Sequence, residues 1–277
     1  MVDRPLVRVA AVQMTSTADV ARNLETAERL TREAAGAGAA LIVLPECFAC
    51  LGPEKDKLAI AESLEPEAAS GPIRGRLSAL AKELGVELVL GGFWERGSTP
   101  QRVRAANVHL DATGAVRAVY RKIHLFDVDL PDGSVIRESD TIEPGDEVVA
   151  TDTCAGRLGM SICYDVRFPE LYRQLVDRGA TLLTVPAAFT ATTGKDHWHV
   201  LLRARAIESQ CYVIAAAQCG HHFGNRRSYG HALICDPWGR VLSECGAEEQ
   251  GFALAQIDPA ETARVRASVP SLAHRRL

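Results

Sequence analysis

Short apolar runs alternate with longer amphipathic ones along most of the chain, and that rhythm admits few folds. Leu6–Gln13 reads as a strand, and Asp19 as the N-cap of a helix running to about Ala35. Ala40–Leu44 is the continuous apolar run of a strand buried on both faces. Pro72–Leu84 reads as a helix with proline in its first turn, and Val86–Gly91 as the next strand. Arg102–Leu110 and Ala115–Tyr120 flank Asp111-Ala112-Thr113-Gly114, a hairpin turn. Arg157–Ile162, Glu170–Arg178, Ala180–Val185, Lys195–Gln210 and Tyr212–Ala217 then repeat the strand–helix alternation. A second hairpin turns at Asp236-Pro237-Trp238-Gly239, and Phe252–Ile257 is a last strand. Alternation of this kind gives an α/β fold, and the hairpins make its sheet mixed. Phe126 to Glu147, rich in Asp, Pro, Gly and Ser, is the one long irregular stretch, a length expected of a functional or mobile loop. No linker or repeat interrupts the pattern, so residues 1–277 read as one domain.

Charge and cysteine content narrow the partners and the compartment. A net charge of −4 gives no basis for binding nucleic acid or an anionic membrane. No apolar run reaches the ~18 residues of a membrane span. The first eight residues lack a signal peptide's apolar core, so cytoplasm is expected. There the eight cysteines would stay reduced. Cys154, Cys211, Cys219, Cys235 and Cys245 lie in or beside apolar runs and read as small hydrophobes. Cys47 and Cys50 have CxxC spacing, but zinc would need a second ligand pair and none lies nearby. No dinucleotide or Walker fingerprint is present, so neither metal nor cofactor is expected.

The remaining cysteine stands apart. Cys163 sits between the apolar run Leu158–Ile162 and a helix-like one from Arg167, and a tight strand-to-helix turn exposes and aims a nucleophile. Glu46 ends the run Ala40–Pro45, and Lys122 follows the strand-like Ala115–Tyr120. A thiol, a carboxylate and an amine, each at a strand end, suit covalent amide hydrolysis. The thiol attacks, the carboxylate moves the proton and the ammonium stabilises the oxyanion. A nearby cation favours thiolate at Cys163, partial burial would raise the Glu46 pKa toward neutrality, and Lys122→Ala is expected to abolish activity without unfolding. Taken singly, each residue has an ordinary alternative: a buried strand-end thiol, a solvated loop glutamate, a charged strand end. His197 and His199 are two apart and point apart on a helix, although a histidine partner for Cys163 stays open.

Together, Leu44-Pro45-Glu46, Tyr120-Arg121-Lys122-Ile123-His124-Leu125 and Ile162-Cys163-Tyr164-Asp165-Val166-Arg167-Phe168-Pro169-Glu170 resemble the nitrilase superfamily of carbon–nitrogen hydrolases. The resemblance covers effectively the whole chain. It implies a four-layer αββα sandwich, a homodimer or higher homo-oligomer, and Glu46, Lys122 and Cys163 as catalytic triad. It places a second catalytic glutamate on Glu138 and the oxyanion N–H on Tyr164. Within the superfamily the chain is similar to the deaminated glutathione amidases, in Gly91–Gly97, His197–Glu208, Gln210–Val213, Ala215–Gly220 and Ser228–His231. Those enzymes release 2-oxoglutarate and Cys-Gly from a small-molecule amide by way of a thioester, as metabolite repair. The related ω-amidases, which act on 2-oxoglutaramate, are the alternative, and a non-catalytic binding protein on the same scaffold is an alternative of another class. The resemblance also implies Arg167 as receptor of a keto-acid carboxylate, a role suited to a guanidinium fork. Pairing with Glu170 is its ordinary reading. Thr193 would join the same pocket, with Thr190 and Thr192 as neighbouring candidates. Pro186-Ala187-Ala188-Phe189 departs from the Pro-Ser-Ala-Phe or Pro-Gly-Ala-Phe of relatives.

Overall fold

Apolar residues on both faces of the early strands require a layer on each side, and the computed structural model supplies them. It describes residues 6–65, 68–131, 133 and 135–276. Residues 1–5 of the amino-terminal stretch, and Asp132 and Ser134 of the 126–147 stretch, lie outside those described.

The chain begins β1 (Val7–Met14), α1 (Val20–Gly36), β2 (Leu41–Leu44), α2 (Glu54–Ile60), α3 (Pro72–Leu84), β3 (Glu87–Arg96), β4 (Val103–Leu110) and β5 (Val116–Arg121). A small hairpin, β6 (Asp127–Asp129) and β7 (Val135–Arg137), leads to a 3-10 turn at Glu138–Asp140. Then come β8 (Ala150–Thr153), β9 (Gly156–Met160), a 3-10 turn at Cys163–Arg167, α4 (Pro169–Asp177), β10 (Leu182–Thr184) and α5 (Ala191–Ser209). β11 (Tyr212–Ala215), β12 (Ala217–Phe223), β13 (Arg226–Tyr229), β14 (Leu233–Cys235), β15 (Val241–Glu244), β16 (Gly251–Ile257) and α6 (Pro259–Ser268) complete it. As read from the sequence, the Asp19 side chain caps α1, accepting from the Arg22 N–H, and α3 starts at Pro72 and stops at left-handed Gly85.

The strands form two mixed sheets. One has the order β13-β12-β1-β2-β3-β4-β5, with β16 antiparallel to β1 along Val7–Gln13; the other runs β15-β14-β11-β10-β9-β8. Alternation then sorts the side chains. Ala10, Val12, Ile42, Leu44, Leu88 and Leu90 pack on α1 and α3 through Leu24, Leu30 and Leu77. Val9, Ala11, Val43 and Val89 face the second sheet's Leu158, Met160, Leu182 and Ile214. Helices α4 and α5 cover that sheet's outer side with Tyr172, Leu175, Trp198 and Leu202. The layers are α–β–β–α, the expected sandwich.

Two expectations change. Tyr212–Ala217 is not one strand: β11 belongs to the second sheet and β12 to the first. The chain crosses between layers at fully buried Ala216, where three successive alanines leave room for backbone. Period-two alternation cannot show which sheet a strand joins. The 126–147 stretch is also more ordered than expected, since its hairpin and 3-10 turn deliver Glu138 to the interior.

Candidate active site

Glu46 follows β2 and Lys122 follows β5, both in the first sheet, whereas Cys163 follows β9 in the second. Face-to-face sheets therefore unite the three strand ends. Lys122 Nζ donates to Glu46 Oε1 at 3.0 Å and to Glu138 Oε2 at 2.8 Å. Glu46 and the Cys163 thiol lie close enough for each to shift the other's pKa. Glu46 Oε2 accepts from the Ala188 N–H at 2.8 Å, and Glu138 Oε2 from the Phe126 N–H at 2.7 Å. Cys163 keeps 9% of its surface open, against 4% for Glu46 and 1% for Lys122.

Close packing sets this geometry. A Cβ on Gly92, whose φ is +57°, would lie 2.7 Å from Glu46 Cγ and from the Cys47 N–H nitrogen, so β3 passes the glutamate only as glycine. Cys163 itself adopts φ +46°, the strained conformation of a nucleophile held on a sharp turn. Its N–H donates to the Pro186 carbonyl at 2.9 Å, and the Asp165 N–H to the Ile162 carbonyl at 3.0 Å. The Tyr164 N–H between them has no acceptor among the described residues, which leaves it for an oxyanion beside the sulfur.

Charge states follow from the contacts. Burial alone would raise the Glu46 pKa, but the Lys122 charge, the Ala188 N–H and the Cys163 thiol together hold it below its ordinary value. Lys122 is pushed well above its ordinary value: burial opposes its charge, and Glu138 and Glu46 outweigh burial. For Cys163, burial and the Glu46 charge raise the pKa well above normal despite Lys122. Two expectations are corrected here. The resting sulfur is a thiol rather than a thiolate, and Glu46 is a carboxylate of lowered pKa rather than one tuned toward neutrality. A thiol beside an ionised carboxylate is arranged for proton transfer.

Residues outside the three motif positions complete the cluster. Asp165, fully buried, accepts from the Tyr120 hydroxyl at 2.7 Å, the Ile162 N–H at 2.8 Å and both His124 Nδ1 and N–H, at 2.8 and 3.1 Å. It thereby ties the cysteine turn to the lysine segment. Gln218 Nε2 donates to the Glu46 carbonyl at 2.9 Å. Both lie in motifs quoted above, but a buried bonding role leaves no periodic trace in sequence. Cys47 and Cys50 are buried thiols, their pKa values raised by burial, to about 11 for Cys50. Away from the site, His199 and His231 meet at Glu244 Oε1, 2.8 and 2.6 Å away.

The two expected binding residues are placed unequally. Arg167 lies over the Phe189 ring at 5.1 Å and the Tyr164 ring at 5.8 Å, and donates to His197 Nδ1 at 3.2 Å. It makes no ion pair with Glu170, nor with any carboxylate among the described residues. Thr193 bonds the hydroxyl of Thr190, the N-cap of α5, at 2.8 Å. A cavity of about 730 Å³ opens at Glu46 and Glu138, and it is lined by Thr190 and Thr192 instead of Thr193, and by Ala188 and Arg226.

The carbon-nitrogen hydrolase family model matches residues 8–267. The deaminated glutathione amidase of Mus musculus is 46% identical over 273 residues, covering 97% of this chain and 83% of that one. The Synechocystis sp. enzyme of the same name is 46% identical, covering 96% and 97%. The Caenorhabditis elegans NitFhit structure superposes with a TM-score of 0.89 at 39% identity, over 98% of this chain and 65% of that longer one. With its sandwich, its motifs and its matched length in agreement, the chain belongs to the carbon-nitrogen hydrolase family, within the nitrilase superfamily that its motifs resemble.

Proposed function

We propose that this protein hydrolyses deaminated glutathione to 2-oxoglutarate and Cys-Gly, with residues 1–277 forming one catalytic domain. The observation that carries the chemistry is the Cys163 thiol beside a charged, buried Glu46 that also holds Lys122. The mouse and Synechocystis relatives' names support the substrate.

Glu46 takes the thiol proton as sulfur attacks the amide carbonyl carbon. The Lys122 ammonium has three N–H donors. One bond goes to Glu46 and two to Glu138, so it is the ammonium charge that steadies the oxyanion, alongside the Tyr164 N–H. Glu46 then protonates the leaving nitrogen as the C–N bond breaks and a thioester remains on Cys163. Next it takes a proton from water, whose oxygen attacks the thioester; sulfur departs and recovers the proton. Glu138 keeps Lys122 charged and oriented throughout. Arg167, without a carboxylate partner, receives the keto-acid end; Thr193 supports that pocket by fixing the start of α5.

The test is 2-oxoglutarate release from deaminated glutathione and from 2-oxoglutaramate, with Cys163→Ala as control. Preference for deaminated glutathione, lost in the variant, is expected. Preference for 2-oxoglutaramate would make the protein an ω-amidase with the same chemistry. Undiminished release by Cys163→Ala would overturn the mechanism.

A further inference from the structure

The cavity beside Glu46 is walled in part by the turn from β12 to β13. Four cations line it: Lys57, Arg137, Arg226 and Arg227. Three of them already hold a carboxylate: Lys57 pairs with Glu54, Arg137 with Asp129 and Arg227 with Glu248. Among the described residues Arg226 alone of the four has none. Of the cavity's own carboxylates, Glu46 and Glu138 share Lys122, Glu54 holds Lys57, and Asp140 is exposed.

Arg226 is also tied to the general base through a single residue. Its Nη2 donates to the Ala188 carbonyl at 2.6 Å, and the N–H of the same Ala188 donates to Glu46 Oε2 at 2.8 Å. A guanidinium carries five N–H donors, so most of this half-buried fork is unused. An unpaired, oriented guanidinium in a cavity is a receptor for a planar anion.

The proposed reaction says which anion. Glu46 protonates the leaving nitrogen, so the leaving group departs on the Glu46 side, where this cavity opens. Arg167 does not line the cavity, and so the second carboxylate of a substrate charged at both ends needs another cation. A Cys-Gly leaving group spans about 7 Å from amide nitrogen to carboxylate when extended. Two bonds through one alanine connect Glu46 to Arg226, and all three residues line this cavity.

We propose that Arg226 binds the terminal carboxylate of the leaving dipeptide and thereby selects deaminated glutathione over amides that release only ammonia. This rests on the substrate reading above.

The test pairs deaminated glutathione with its C-terminal carboxamide, on wild type, Arg226→Gln and Arg226→Lys. Wild type is expected to favour the acid by about 10- to 100-fold in kcat/KM, mostly through KM. Arg226→Gln should bring that preference close to one, with Arg226→Lys in between. An unchanged acid preference in Arg226→Gln would overturn the proposal. So would equal slowing on both substrates, which marks a purely structural hold on Ala188. Wild type alone also decides: release from both with no acid preference refutes Arg226's role and leaves the substrate reading standing. No release from deaminated glutathione refutes that reading and this proposal with it.

Discussion

Glu46 stays charged in the interior because every oxygen is answered, by Lys122 on one side and the Ala188 N–H on the other. This fixes the pH behaviour. A lowered carboxylate pKa contributes stability and a working base above its ordinary 4.5, and both are lost only as pH falls through the lower folded value. A raised lysine pKa contributes stability below 10.5 that is lost only above it. We expect kcat/KM to be flat from about pH 5.5 to about 9. A limb near the histidine range of about 6.5 would give the base role to a histidine and remove Glu46 from it. The same contacts revise the expectation for Lys122→Ala. Removing the ammonium leaves two carboxylates facing each other with nothing between, which costs about 3–5 kcal/mol. The variant should therefore be inactive and also melt well below wild type in circular dichroism; an unshifted melt would show that the pair is not buried as described.

The elements that matter most are short. The 3-10 turn carrying Cys163 is held to the lysine segment by one side chain, Asp165, with four donors converging on it. Asp165→Ala would strand those donors, at a cost of about 3 kcal/mol or more, and release both the cysteine and the lysine from their relative placement. Urea unfolding should show the loss, and turnover should fall further than the melted fraction explains. Turnover that tracks the folded fraction alone would limit Asp165 to stability. The β6–β7 hairpin does comparable work for Glu138, and neither it nor the crossing at Ala216 carries a signature in local composition.

At the scale of the molecule, two sheets packed face to face bring residues more than a hundred positions apart into one cluster. We propose a homodimer or higher assembly, through the outer face of α5, where Val200 is 66% and Ile207 51% exposed and Trp238 lies alongside at 50%. Sedimentation at micromolar concentration should give at least twice the chain mass, and Val200→Glu should lower it; a wild-type monomer would refute the assembly. We also propose the cytoplasm as its compartment. Among the described residues no helix is long and apolar enough to cross a membrane.

Sequence alone determined the α/β class, the ends of α1 and α3, and the three chemical positions Glu46, Lys122 and Cys163. Each of these depends on neighbours in the chain: a cap, a proline, an apolar run followed by a polar break. Tertiary structure alone decided that Tyr212–Ala217 divides between two sheets, that Asp165 and Gln218 brace the site, and that Arg226 faces the cavity without a carboxylate. It also decided the protonation states, because the balance of burial against paired charge at Glu46 and Cys163 exists only once both sheets have closed around Lys122.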